Sequence, residues 1–219
     1  MIKETAIFFI AYILLHFLVD DSNKKKGKSS KKIYIISLLH SLYVCYECWN
    51  ILLKHKIDET KHIFDNSPNG SVNVFFVLVS YLLFDLIIMA YENALVPSFI
   101  IHHISCSLAV FLGAFYGKCL YPITMLLLSE MSTIPLNLTK LVKNKESIDY
   151  MRFLFVITFV IFRTLLIPYV YMTCLYNFEY FLRDHISTSL LLLLTVHLCV
   201  NMYWTKLIWN LVFETKKKY

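Results

Sequence analysis

Long apolar runs separated by short polar breaks set the pattern of this chain. Seven runs approach the ~20 residues a helix needs to cross a bilayer: 4–20, 33–53, 71–91, 97–116, 120–140, 151–175 and 187–210. The pattern predicts an all-α fold, a polytopic membrane helix bundle of about seven transmembrane helices. The first run is short and leads into Asp20, Asp21 and a lysine cluster with no small-residue cleavage site. It reads as an uncleaved anchor rather than a signal peptide. Residues 1–32 then form an anchor helix with a lysine-rich loop, 33–210 the core, and 211–219 a lysine-rich tail. The six core helices can divide into two three-helix halves, as in inverted repeats.

Polar residues interrupt these runs at helical spacing. Glu130, Thr133 and Asn137 stand at i, i+3, i+7, and Ser129 precedes Thr133 and Asn137 at i, i+4, i+8. On a 3.6-residue helix they form one stripe. Pro135 lies within it and predicts a kink. His102 and His103 are adjacent, so their side chains point about 100° apart. One is expected to reach the bundle centre while the other bonds a neighbouring helix, with Glu130 a candidate to orient an imidazole. Tyr81 and Asp85 stand at i, i+4, and Arg163 lies deep in an apolar run that continues to Pro168. An intramembrane arginine needs a carboxylate or carbonyl partner, and Asp85 and Glu130 are the candidates. His197, Asn201 and Trp204 stand at i, i+4, i+7, and His40, Tyr43 and Glu47 at i, i+3, i+7.

Two readings compete for these residues. An ionisable side chain at mid-bilayer costs roughly 2.5–3.5 kcal/mol on insertion scales, which marks function. The plainer reading is that the groups only satisfy one another between helices. A polar stripe on every core helix suggests a polar-lined interior cavity.

Composition narrows the function classes. The chain is 58% hydrophobic and only 16% charged, below the soluble norm of about 25%. Its net charge of +6 lies mostly in loops and the tail, which suits topology and lipid headgroups rather than nucleic acid. Lys24, Lys25, Lys26, Lys28, Lys31 and Lys32 share one side with Lys143, Lys145 and Lys216–Lys218 if there are seven spans. That places the N-terminus in the lumen or outside and the C-terminus in the cytosol. Asn69-Gly-Ser71 is a glycosylation sequon in a loop on the luminal side. Lys216 and Lys217 stand where a dilysine signal for return to the endoplasmic reticulum would stand; a plain positive-inside tail reads the same way. Four glycines leave no glycine-rich phosphate loop. Cys45 and Cys48 have CxxC spacing but lie inside a predicted span without a second pair, so no metal is expected there. Eight histidines without an HxxxH or HxxHH box argue against a membrane di-iron enzyme.

Several of these stretches resemble the TLC domain. They are Tyr81-Leu-Leu-Phe-Asp85, His102-His103, Ser129-Glu130-Met-Ser132-Thr133-Ile-Pro-Leu-Asn137-Leu, Phe162-Arg163 and Asn201-Met-Tyr-Trp204-Thr-Lys206. The resemblance covers about 33–210 and is greatest to the small TLC-domain-containing transmembrane proteins. It implies that the last six helices form a barrel-like bundle. Ceramide synthases share this domain, and their motif opens on a His-His pair and closes on His-Asp-x-x-Asp. Here the pair is His102-His103, while the closing cluster reads Ser129, Glu130 and Thr133, and the middle reads GAFYGKCLYP over 113–122. Lys140 falls where that family places a lysine.

The resemblance implies a multi-pass protein that binds or handles acyl lipids in an intramembrane cavity and contributes to lipid homeostasis. Membrane lipids are then its partners, the endoplasmic reticulum its compartment, and a homodimer one option for its assembly. The cavity residues are Tyr81, Asp85, Ser129, Thr133, Asn137, Arg163, His197, Asn201 and Trp204. An alternative is a ceramide-synthase-type N-acyltransferase. There His102, His103 and Glu130 are catalytic, acyl-CoA is a co-substrate, no other cofactor is needed, and Arg163 or Lys206 draws the anionic donor. A second alternative is a lipid or cargo transporter, which needs a path with polar residues near both mouths.

Overall fold

The computed structural model describes residues 2–18, 31–55, 63–65, 68 and 70–214. Within them the chain is helical. Helices α1 (Ile2–Leu18), α2 (Lys31–Lys54), α3 (Ser71–Tyr91) and α4 (Pro97–Tyr116) are each continuous. A fifth rod is broken into α5 (Leu120–Leu127), a 3₁₀ turn (Leu128–Ser132) and α6 (Thr133–Leu141). A sixth runs through α7 (Lys145–Phe159), a π-helical stretch (Val160–Leu165) and α8 (Leu166–Tyr176). The short α9 (Phe178–Leu182) leads to α10 (His185–Glu214). Lys24, Lys25, Lys26, Lys28, Lys216–Lys218 and Asn69, on which the orientation, sequon and retrieval readings rest, lie outside the described residues.

Five stretches are long and apolar enough to cross a membrane: α2, α3, α4, the α7–α8 rod and α10. The protein is therefore an all-α, multi-pass integral membrane bundle. Its outward surface is apolar where a soluble protein would be polar; Ile101, Ile104, Leu108, Phe111 and Phe115 of α4 are all exposed. The opposite face of the same helix buries His102, His103, Ser105, Val110 and Gly113. Polar groups thus turn inward, away from hydrocarbon that offers no hydrogen bonds.

Six rods close into a ring. Helix α2 packs on α3, α3 on α4, α4 on α10, α10 on the π stretch and α8, α7 on α6, and α6 back on α2. Rods from the first half of the core (α2, α3, α4) lie side by side, and so do those from the second. Helix α1 stands outside the ring against α3 and α2.

The breaks shape the interior. The expected kink at Pro135 appears as the 3₁₀ turn just upstream, because Pro135 has no N–H to offer the Met131 carbonyl and its ring crowds that group. Helix α5 then touches α2, α3, α4 and α8, filling that end of the ring, while α6 stays in the wall between α2 and α7. Pro168 likewise leaves the Thr164 carbonyl without its helical donor, and the π stretch falls over this turn.

The α5 end is tied together by polar contacts. Tyr180 donates to Asp65 Oδ1 at 2.5 Å, and Lys118 Nζ lies 3.6 Å from Asp65 and 3.7 Å from Asp184. These contacts join the α4–α5 turn, the 3₁₀ turn Ile63–Asp65, α9 and the start of α10.

Candidate functional site

At the other end the ring encloses a chamber of about 620 Å³. It is bounded by the first turns of α2 and α4 and the last turns of α3, α6 and α10. That volume falls within the range of ligand pockets, ~300–1,000 Å³. Asp85, His102, His103, Glu130, Thr133, Asn137, Arg163 and Trp204 all line it, with Tyr81 and Lys140.

Arg163 is the hub of one wall. Although buried, it donates Nε to Ser132 Oγ at 2.7 Å, Nη1 to Asn201 Oδ1 at 3.3 Å, and Nη2 to Thr133 Oγ1 at 3.3 Å and Glu130 Oε1 at 3.5 Å. The guanidinium also lies 5.7 Å from the Trp204 ring centroid. Of its two candidate carboxylates, Glu130 is the partner. Ser41 donates to the second Glu130 oxygen at 3.1 Å. A buried charge pair is tolerated when hydrogen bonds satisfy its remaining groups, and this one has them.

The histidine pair splits as its 100° offset requires. His103 turns to α3 and meets Asp85 Oδ2 through Nε2 at 2.8 Å. The carboxylate orienting an imidazole is therefore Asp85, not Glu130, which is engaged by Arg163. The other nitrogen, Nδ1, donates to the Phe99 carbonyl at 2.8 Å. Both ring nitrogens of His103 therefore face oxygens, which fixes the imidazole between α3 and the first turn of α4. His102 turns to the ring centre. It stacks on His197 with centroids 5.1 Å apart and approaches Trp204 at 5.0 Å.

Below His102 a narrow apolar crevice of about 80 Å³ runs toward α5. Leu78, Ala109, Ile123, Leu127 and Leu194 line it, and it ends at Cys119 and Phe181. His102 and Glu130 line both the crevice and the chamber, and Ser129 and His197 line the crevice. The chamber and the crevice therefore meet at Leu82, His102 and Glu130.

A sequence model of the TLC domain matches residues 32–210. The chain belongs to the TLC-domain family. No curated protein and no solved structure matches it. The matched span begins at α2, so the six-rod ring is the TLC domain and α1 lies before it.

Some expectations shift. Asn137 leaves the Glu130 stripe's cluster to donate to Ser37 Oγ at 2.8 Å. Tyr43 is exposed, so the inward face of α2 is Ser37, His40, Ser41, Val44, Cys45 and Cys48 instead. Lys206 is exposed and does not line the chamber. His40 stacks on Tyr81 at 3.9 Å and bonds Tyr12 of α1. Sequence reading passed over Ser41 and Cys106. Cys106 carried a usable signal, since it stands i+4 from His102 and shares its face.

Proposed function

We propose that this TLC-domain protein binds an acyl lipid, with the headgroup and upper chain in the chamber and the end of the acyl chain in the crevice, and so takes part in membrane lipid homeostasis. One observation carries the reading: a large chamber whose wall holds Lys140 and the Arg163–Glu130 and His103–Asp85 pairs opens at His102 and Glu130 into a narrower crevice lined mostly by apolar side chains. An amphiphile has that polarity profile, and a dry structural bundle has no need of it. Lys140 offers positive charge to an anionic group, and the Arg163–Glu130 and Asp85–His103 pairs offer hydrogen-bonding walls. Native mass spectrometry of the full-length protein tests the reading. An acyl lipid retained after mild detergent extraction is expected; a protein that stays folded and carries none overturns it.

A second reading, N-acyl transfer from acyl-CoA to a sphingoid base, draws on the buried histidine pair beside the chamber. With both nitrogens of His103 engaged, His102 is the imidazole left to act as base or acyl acceptor, and His103–Asp85 is a positioning unit. Ser129 and Thr133 stand where the synthases carry His and Asp, which weakens it. Turnover of acyl-CoA with a long-chain base, lost in His102→Ala, would support transfer; an inert protein that still retains lipid would sink it. Transport draws no support, since α5 and the Lys118 contacts occupy the end opposite the chamber among the described residues.

A further inference from the structure

Where chamber and crevice meet, three side chains from two helices converge. Cys106 Sγ lies 3.1 Å from His197 Nδ1 and 3.7 and 4.0 Å from the two ring nitrogens of His102. One ligand atom from each of the three lies within 4.8 Å of the others. His102 and Cys106 stand at i, i+4 on α4, so they project from one face, and His197 comes from α10, which packs against α4.

A thiol donating to His197 accounts for one of these contacts. It does not account for His102. That ring is 7% exposed, and among the described residues its nitrogens find no hydrogen-bond partner except the same sulfur. Buried polar groups are ordinarily satisfied. A metal ion at the shared point satisfies all three at once.

We propose that His102, Cys106 and His197 form a binding site for a borderline-soft transition ion, Zn(II) or Cu(I). Zn–S of ~2.3 Å and Zn–N of ~2.0–2.1 Å at a tetrahedral angle put sulfur and nitrogen roughly 3.5 Å apart. The observed 3.1 and 3.7 Å bracket that separation. Thiolate with imidazole selects zinc or copper over magnesium or calcium. Charge balance inside an apolar bundle separates the two ions. One thiolate neutralises Cu(I), whereas Zn(II) would keep one net positive charge, because Glu130 on the same crevice wall is already paired with Arg163. Binding releases the Cys106 proton, with no oxidation or reduction.

The proposal goes beyond lipid binding and does not depend on it. The test uses the full-length protein in detergent, stripped with chelator and then given Zn(II) alone or Cu(I) alone under reducing conditions. Retained metal is counted by mass spectrometry after gel filtration. About one equivalent of one ion is expected, and the arm that retains it identifies the metal. Cys106→Ser and His197→Gln are each expected to weaken retention roughly tenfold or more, while Cys199→Ser, on the exposed face, leaves it unchanged. Co(II) in place of the ion should give a sulfur-to-metal charge-transfer band that Cys106→Ser removes. Circular dichroism confirms that each variant is helical. A helical wild type that retains neither ion, or a Cys106→Ser protein that binds as wild type does, overturns the site whether or not lipid is present.

Discussion

Arg163 shows what one residue can require of three rods. Its guanidinium is 7% exposed and its charge is answered by Glu130, with Ser132, Thr133 and Asn201 accepting from three more of its N–H groups. Removing one partner strands the other charge, so Arg163→Leu is expected to destabilise the protein by about 3–5 kcal/mol. Neutralising both, Arg163→Leu with Glu130→Gln, should restore most of that loss. Thermal unfolding in detergent, read by circular dichroism, checks the pair, and equal losses for single and double variants would contradict it. His40 makes a smaller case. Among the described residues its Nδ1 meets only the Tyr12 hydroxyl, at 2.9 Å, and its Nε2 is buried without a partner. Tyr12→Phe leaves both nitrogens unsatisfied and should cost about 1–3 kcal/mol. The same melt reads it, and an unchanged midpoint would show that α1 is not anchored through this bond.

Among the elements, α10 has the plainest start signal. Asp184 stands before it, and its two oxygens accept the Ser187 N–H at 2.8 Å and the Ser187 hydroxyl at 2.9 Å. Asp184→Ala should cost about 1 kcal/mol, the usual loss of an N-cap. The Ser187 N–H, then its hydroxyl and Lys118, holds the carboxyl below its ordinary range. A folded-state pKa below the unfolded one stabilises above the unfolded value, near ~3.9, and that stabilisation is lost as pH falls through the folded value. The gap between wild type and Asp184→Ala in melting temperature should therefore be full at neutral pH and close in acid. This cap was not read from the sequence, although Asp-x-x-Ser is a local signal. The apolar runs were legible because bilayer length and helical period are properties of a single segment. The partners of Arg163 and His103 were not, because two carboxylates stood at plausible positions and only the ring order decides between them. The break in the fifth rod was half legible: Pro135 predicts a disturbance, but its 3₁₀ form and its position a turn upstream depend on how α5 packs across the ring.

At the scale of the whole molecule, the two breaks and the ring together make one asymmetric interior. The 3₁₀ turn lets α5 cross toward α3, α4 and α8 and narrow one end to a crevice, while α6 remains in the wall and leaves a chamber at the other. If the crevice holds an acyl chain, its depth should set the chain length that fits. Ala109 lines it from α4, opposite Ile123 and Leu127 of α5. Ala109→Phe fills space in the crevice without touching the Arg163 network or the His103–Asp85 pair. The expected result is a bound-lipid distribution shifted toward shorter chains, with helicity unchanged. Ile104→Phe, on the exposed face of the same helix, is the control and should leave the distribution as in wild type. Lipid extraction and mass spectrometry of the purified proteins read both. If Ala109→Phe keeps the wild-type chain lengths while remaining folded, the acyl chain does not lie in the crevice, and the chamber alone must hold the lipid.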